Sequence, residues 1–206
     1  MIAIVDYGMG NLRSVQKALQ RVGAEAEIVS APADLQRAAK IVLPGVGAFR
    51  DAIARLREMR LDGPLVRRID QGVPFLGICL GFQLLFDVSY EDGEYTGLGV
   101  LPGKVVRFDF GSHTTGQDLS VPHMGWNQMR WQRPCPLLSG LPQGSYVYFA
   151  HSYHAVPVAD GLELTATDYG YEFTSSVWRE NLFATQFHPE KSQAVGRVIL
   201  ENFVAL

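Results

Sequence analysis

The fold and the chemistry of this chain are both indicated by one stretch, Phe75-Leu76-Gly77-Ile78-Cys79-Leu80-Gly81-Phe82-Gln83. Residues 75–78 form a continuous apolar run, which is typical of a strand buried on both faces, and residues 82–86 predict the helix that follows. The pattern Gly-x-Cys-x-Gly between them predicts a sharp strand-to-helix turn that lifts the Cys79 thiol above a sheet. Larger side chains beside the cysteine would collide with the neighbouring strand and helix.

A thiol at such a turn has a chemical as well as a structural interpretation. At the start of a helix, the dipole and the free N–H groups favour the thiolate, and the N–H of Leu80 points towards negative charge developing nearby. The structural alternative is a buried, inert cysteine. The glycines on both sides of Cys79 and the strand–helix context favour the nucleophile.

Outward from this stretch, the first half of the chain alternates strands with helices. Apolar runs predict strands over 2–5, 27–30 and 41–43, and helical spacing predicts helices beginning near Asn11, Pro32, Phe49 and Pro64. Such alternation indicates right-handed crossovers and a parallel sheet covered on both faces.

The second half is dominated by short strands. They are predicted over 104–108, 127–131, 146–150, 162–167, 175–178 and 183–187, before a closing helix over 195–203. The predicted fold is therefore three-layer α/β: an open, mostly parallel sheet with helices on both faces and an antiparallel extension in the second half. With 206 residues, we expect one domain over 1–206.

Composition excludes several classes of function. The net charge is −3, from 18 basic and 21 acidic side chains, so the basic face that nucleic acid requires is not expected. We find no apolar run long enough to span a bilayer and no secretory signal. The two cysteines, Cys79 and Cys135, have no metal-ligand spacing. We expect a cytoplasmic protein with reduced thiols.

A nucleophilic cysteine needs a base, and His188 is the histidine with a carboxylate well placed beside it, in Phe187-His188-Pro189-Glu190. Pro189 disfavours the α conformation at His188, and side chains two apart in an extended chain point to the same side. Glu190 can therefore hold the imidazole tautomer while the other ring nitrogen faces Cys79. The alternative is an ordinary solvated turn.

A glycine-rich loop, Leu43-Pro44-Gly45-Val46-Gly47-Ala48-Phe49, follows the third strand. Backbone N–H groups of Gly45 and Val46 could add a second oxyanion donor to that of Leu80. The alternative is a plain tight turn before a helix.

Other motifs are weaker. Two Gly-x-Gly sequences lack the third glycine of a dinucleotide site, so no cofactor is expected. His151 and His154 would lie on opposite faces of a strand, which favours a structural role over a metal site. Trp126, Tyr148 and Tyr153 are by default core aromatics. Residues 109–120 are interpreted as a surface loop without an assigned role.

The glycine-flanked cysteine, the His-Pro-Glu turn and their order together resemble the class I (triad) glutamine amidotransferases. Further runs resemble one subfamily, the glutaminase subunits of imidazole glycerol phosphate synthases. These runs span residues 6–192: Asp6-Tyr7-Gly8-Met9-Gly10-Asn11-Leu12, Pro44-Gly45-Val46-Gly47-Ala48-Phe49, Val121-Pro122-His123-Met124-Gly125-Trp126-Asn127, Tyr148-Phe149-Ala150-His151-Ser152-Tyr153 and the continuation of the histidine motif, Lys191-Ser192.

The resemblance implies a role for each matching position. Cys79 would be the nucleophile, His188 the general base and acid, and Glu190 the orienting carboxylate. Gln83, Ser152 and Tyr153 would face glutamine, and Gly45, Val46 and Leu80 would surround the oxyanion. The implied partner is a (β/α)8-barrel cyclase in a heterodimer of histidine biosynthesis, and the positions facing it would be Asn11, Trp126, Tyr148 and Lys191.

Three rival functions remain open at this stage. A cysteine peptidase or hydrolase on a similar fold would use a differently placed histidine. A binding subunit that has lost catalysis would not need an intact triad. A sibling amidotransferase would serve pyridoxal phosphate, anthranilate or purine synthesis.

Overall fold

The computed structural model describes residues 1–111 and 119–206, and the centre of the predicted 109–120 loop lies outside the described residues. Its helices are α1 Leu12–Arg21, α2 Pro32–Arg37, α3 Phe49–Glu58, α4 Asp62–Asp70, α5 Leu80–Gln83 and α6 Gln193–Ala205. Its strands are β1 Ile2–Val5, β2 Ala26–Val29, β3 Lys40–Gly45, β4 Phe75–Cys79, β5 Phe86–Ser89, β6 Tyr95–Thr96, β7 Leu101–Arg107, β8 His123–Gln128, β9 Arg130–Trp131, β10 Tyr146–His151, β11 Tyr153–Pro157, β12 Glu163–Asp168, β13 Glu172–Arg179 and β14 Leu182–Thr185. Within the described ranges, no helix is both long and apolar enough to cross a membrane.

The central sheet has eight strands in the order β2-β1-β3-β4-β14-β13-β12-β9. The five strands from β2 to β14 run parallel, and β13, β12 and β9 continue the sheet antiparallel. The three-layer, mostly parallel α/β fold with an antiparallel extension is therefore confirmed.

Alternating side chains of the parallel strands feed two separate cores. In β1, Ala3 and Val5 pack with helices α2, α3 and α4 on one face, while Ile2 and Ile4 pack with α1 and α6 on the other. Residues that alternate in this way are buried on both sides, which explains the continuous apolar runs in the sequence.

Two smaller sheets, which the sequence did not predict, lie beside the central one. Strand β10 pairs with β8, and β11-β7-β5-β6 form a four-stranded sheet in which β5 and β7 are parallel. The predicted strands over 104–108 and 146–150 exist, but they belong to these sheets and do not extend the central one.

The helix predicted over 82–86 is wrong in its bounds. Helix α5 ends at Gln83, because the backbone of the next residues pairs with a later segment: the carbonyls of Leu84 and Leu85 accept from Leu98 and Leu101. Strand β3 in turn continues through Pro44 to Gly45, where the sequence predicted a stop, and Gly45 pairs in register with Cys79.

Candidate active site

The carboxyl ends of β3, β4 and β14 meet at the centre of the sheet, and the chemically important side chains lie there. Cys79 ends β4 with φ 55° and ψ −108°, a left-handed conformation that a non-glycine residue adopts only under constraint. Helix α5 begins at the next residue. The predicted strand–turn–helix around the thiol is present.

The two glycines beside Cys79 are required by close backbone packing. A Cβ on Gly81 would overlap the carbonyl oxygen of Leu43 in the adjacent strand. A Cβ on Gly77 would lie 3.0 Å from the Gly81 carbonyl oxygen and 3.2 Å from Cβ of Ala184. This is the collision that the Gly-x-Cys-x-Gly spacing predicted.

Residues after β14 bring His188 and Glu190 to the same place. His188 is extended (φ −99°, ψ 97°), and its Nδ1 lies 2.8 Å from Oε1 of Glu190. Both side chains are almost completely buried, at 3% and 2% exposure. The solvated-turn alternative is therefore wrong. Glu190 reaches the ring as predicted, but not by strand alternation: the extended backbone ends at His188, and Pro189–Lys191 form a short 3-10 helix that carries the carboxylate.

The charge state of this pair follows from its neighbours. Burial lowers the pKa of His188, but the charge and hydrogen bond of Cys79, together with those of Glu190, outweigh burial and raise it to about 10. A ring held in this way is protonated near neutral pH and lies beside the Cys79 sulfur.

A cavity of about 250 Å³ opens on Cys79. Its volume lies just below the range typical of drug-sized ligands, which suits a ligand of single-amino-acid size better than a polypeptide. Of the predicted substrate and oxyanion residues, all but Gly45 line it: Val46, Leu80, Gln83, Ser152 and Tyr153. Tyr153 packs partly buried against the core, as its default assignment expected, and lines the cavity as well.

Gly45 does not line the cavity but packs against Leu80, which does. A Cβ at this position would overlap the Tyr7 hydroxyl and approach Cβ of Leu80 at 2.9 Å. The same hydroxyl donates a hydrogen bond to the Pro44 carbonyl, 2.9 Å away, which holds the end of β3 beside Cys79. Val46, the next residue, is 42% exposed, and Gly47 has φ 105°.

Two polar residues at the site were missed by the sequence analysis. Glu91 lines the cavity, and its Oε2 accepts a hydrogen bond from the Phe49 N–H at 2.8 Å; burial raises the pKa of this carboxyl, against the effect of that bond. No pattern around Glu91 indicated its position. Gln186, whose Nε2 lies 3.7 Å from the Cys79 sulfur, comes two residues before His188, and this closeness to the predicted base is the signal in the sequence that could have indicated it.

The histidines at 151 and 154 are buried in an aromatic cluster around Phe108, as the structural interpretation expected. They end β10 and lie in β11, respectively, so they belong to two strands. Among the described residues, no group of three or more His, Cys, Asp or Glu is arranged to hold a metal ion.

Three of the four predicted partner-facing residues form one surface. The rings of Trp126 and Tyr148 are 6.0 Å apart, and Nζ of Lys191 lies 5.8 Å from the Tyr148 ring centre. Trp126 is 45% exposed, so its default assignment to the core is wrong. Asn11 is exposed at the start of α1, which contacts the short 3-10 helix carrying Lys191.

With this geometry established, comparison with known proteins defines the class. The family model "Glutamine amidotransferase class-I" matches residues 3–206, and the chain belongs to this family. At a finer level, it is 53% identical over 203 residues to the imidazole glycerol phosphate synthase subunit HisH of Syntrophotalea carbinolica, covering 98% of both chains. It is 52% identical to the HisH subunit of Salinibacter ruber, covering 100% of this chain and 94% of that one.

Solved structures agree on the fold. A crystal structure of a glutamine amidotransferase superposes with a TM-score of 0.74 at 22% identity, covering 99% of this chain and all of that one. The structure of PurLQS from Thermotoga maritima superposes with a TM-score of 0.76 at 19% identity, covering 99% and 97%.

Proposed function

We propose that this chain is the glutamine-hydrolysing subunit of an imidazole glycerol phosphate synthase of histidine biosynthesis, with Cys79, His188 and Glu190 as its catalytic triad. The observation that carries the proposal is the buried His188–Glu190 pair, 2.8 Å apart, beside a sulfur that opens on a cavity. Relatives that are 52–53% identical over nearly the whole chain are HisH subunits, which supports this function over the sibling amidotransferases. One domain over 1–206 and a cytoplasmic location remain predictions.

In the first half of the reaction, the Cys79 thiolate attacks the side-chain amide carbon of glutamine. The tetrahedral intermediate collapses as its C–N bond breaks, and His188 transfers its proton to the departing nitrogen, which leaves as ammonia. A γ-glutamyl thioester remains. Glu190 keeps the ring in the orientation that this transfer requires and offsets its positive charge.

In the second half, His188 accepts a proton from water, and the resulting nucleophile attacks the thioester. The C–S bond breaks, glutamate leaves, and the Cys79–His188 pair is restored. Across both halves, glutamine and water yield glutamate and ammonia.

The cavity residues are suited to binding the rest of glutamine. The Glu91 carboxylate can receive the α-ammonium group, and Gln83, Ser152 and Tyr153 provide polar groups around the ligand. A small cavity with one anionic wall favours a free amino acid over a peptide, which counts against the peptidase alternative.

The ammonia is expected to pass to a partner. We infer that the surface of Trp126, Tyr148 and Lys191, together with Asn11, docks a (β/α)8-barrel cyclase to form a heterodimer. Incorporation of the ammonia there would yield imidazole glycerol phosphate and an aminoimidazole carboxamide ribonucleotide. A closed passage between the subunits would protect ammonia from protonation in bulk water.

Without its partner, the subunit is expected to hydrolyse glutamine only very slowly. Val46 is exposed and lies between two glycines, Gly45 and Gly47, whose backbones tolerate more conformations than those of other residues. The Val46 N–H can therefore point away from the oxyanion until the partner and its ligand bind. Full glutaminase activity of the chain without a partner would contradict this point while leaving the triad assignment intact.

The test is ammonia release from glutamine, measured with and without the cyclase subunit. Cys79→Ala should abolish the release, and the matched control Cys135→Ala, at a buried cysteine away from the cavity, should retain it. Ammonia release by Cys79→Ala at the unmodified rate would refute the proposed function.

A further inference from the structure

Gln186, like the proposed base His188, lies beside the Cys79 sulfur. Its N–H donates to the Ser175 carbonyl at 2.9 Å, which continues the strand pairing beyond β14, and its side chain is fully buried. Phe187, one residue on, packs in the hydrophobic core, where its ring lies 5.9 Å from that of Phe149. Gln186 and His188 both contact Cys79, and Glu190 contacts His188.

The side-chain amide of Gln186 joins two groups. Its Nε2 lies 3.7 Å from the Cys79 sulfur, and its Oε1 accepts a hydrogen bond from Nε2 of Gln83 at 3.0 Å. The same Gln83 nitrogen donates to the backbone carbonyl of Tyr153 at 2.9 Å. Gln83 thus links the amide at the sulfur to the wall of the cavity.

The hydrogen-bonding chemistry fixes the orientation of both amides. A backbone carbonyl can only accept, so Gln83 must turn its nitrogen towards Tyr153. That nitrogen can only donate, so Gln186 must turn its oxygen towards Gln83. The Gln186 nitrogen is then left facing the sulfur, and a donor at this position is complementary to a thiolate.

The Tyr153 carbonyl is itself held from a second direction. Nδ1 of His151 lies 2.8 Å from it, and Nε2 of the same ring lies 3.2 Å from Nδ1 of His123. Burial lowers the pKa of His151 to about 3 and that of His123 to about 4, so both rings remain neutral. A neutral ring that donates to the carbonyl keeps the acceptor of Gln83 in place.

We propose that Gln186 is a further catalytic residue: its side-chain amide donates a hydrogen bond to the Cys79 sulfur and stabilises the thiolate, and Gln83 positions that amide. The bond favours the sulfur when it is charged, before attack and again when it leaves the thioester. It is weaker when the sulfur is acylated and neutral. This inference rests on the proposed function, but it can be tested separately.

The experiment measures the rate of iodoacetamide alkylation at Cys79 against pH in the full chain. Gln186→Met removes the donor at similar length, so the alkylation midpoint should rise by about one pH unit, corresponding to about tenfold slower alkylation below the midpoint. Gln186→Glu keeps an acceptor for Gln83 but places a like charge beside the thiolate, so the midpoint should rise further.

Thr185→Val is the matched structural control. It removes a buried hydrogen bond from the Thr185 hydroxyl to the Phe187 carbonyl, 3.0 Å long, in the same segment, and leaves the Gln186 amide unchanged. It should lower thermal stability and leave the alkylation midpoint unchanged. If Gln186→Met does not fold, Gln186→Leu, which also removes the donor without adding a charge, decides the question.

An unchanged midpoint in a folded Gln186 variant would overturn the inference and reduce Gln186 to a structural role. Failure of the unmodified chain, with its cyclase, to release ammonia from glutamine would overturn the proposed function, whatever the midpoints show. The two outcomes are independent readouts of the same protein preparations.

Discussion

Replacement of Glu190 by glutamine tests the charge at the centre of the proposed triad. The glutamine keeps the size of the side chain and an oxygen that can accept from Nδ1 of His188, but it removes the negative charge. Hydrogen bonds to charged groups contribute about 1.5–3 kcal/mol, and this one joins two side chains that are nearly fully buried, at 3% and 2% exposure. Because about 1.4 kcal/mol corresponds to a tenfold change in rate, ammonia release should fall roughly 10- to 150-fold.

The pH dependence provides a second readout of Glu190→Gln. Glu190 is one of the groups that raise the pKa of His188 to about 10, so the variant ring should lose its proton at lower pH. The alkaline limb of the rate profile, measured as ammonia release with the cyclase present, should therefore shift towards lower pH. A group whose pKa is raised on folding stabilises the protein fully below its unfolded value, and this stabilisation is lost as pH rises through the folded value. The difference in unfolding free energy between the two proteins should thus be larger near pH 6 than near pH 10.

Glu201→Gln is the matched control for the loss of charge. Glu201 is exposed and pairs with Arg197 at 3.7 Å on the surface of α6, where such pairs contribute little. Its rate and pH profile should match those of the unmodified chain. Activity of Glu190→Gln within twofold of that of Glu201→Gln, with an unmoved alkaline limb, would refute the role assigned to Glu190.

Three further predictions concern the loop, the thiols and the docking surface. Gly45→Ala should lower the free energy of unfolding in urea by roughly 1–3 kcal/mol, because the new Cβ would overlap the Tyr7 hydroxyl oxygen. The control Gly63→Ala in α4, where a Cβ would meet only the flexible end of an arginine, should raise it by up to about 1 kcal/mol. Equal effects of the two variants would contradict the packing described for β3. Burial raises the pKa of the Cys135 thiol, so iodoacetamide near pH 7.5 should alkylate Cys79 and not Cys135, as read by peptide mass spectrometry. Preferential labelling of Cys135 would count against an activated Cys79. Trp126→Ala should weaken binding to the cyclase by about 2 kcal/mol, measured by calorimetry. Val158→Ala, at another exposed apolar position, is the control and should leave the affinity unchanged. Equal affinities for the two variants would place the interface elsewhere.

The parts of the site that depend on short-range rules were predictable from the sequence. Steric demands around Cys79 act within a few residues, and the extended backbone of His188 depends on the proline that follows it. The short separation in sequence between Gln186 and His188 is a signal of the same kind. Glu91 was not predictable, because its place at the cavity depends on where β5 and the turn after it lie against the start of α3.

The same distinction applies to the fold. Parallel strands that are buried on both faces have continuous apolar sequences, so β1, β3 and β4 were predicted in nearly the right places. The short strands β5 and β6 were missed because they exist only through pairing with distant residues. That pairing also ends α5 early, although the residues that follow it are as apolar as the helix itself.

The position of β14 between β4 and β13 has a consequence for how the protein is made. Cys79 and Gln186 are 107 positions apart in the chain, yet β4, which ends at Cys79, pairs with β14, which ends at the residue before Gln186. During synthesis, one edge of β4 must wait unpaired until residues 182–185 leave the ribosome, because no earlier strand occupies that place. Exposed strand edges of this kind are sites of aggregation in nascent chains. The nucleophile is thus translated long before its base, and chains truncated before β14 would carry a cysteine at an open, association-prone edge.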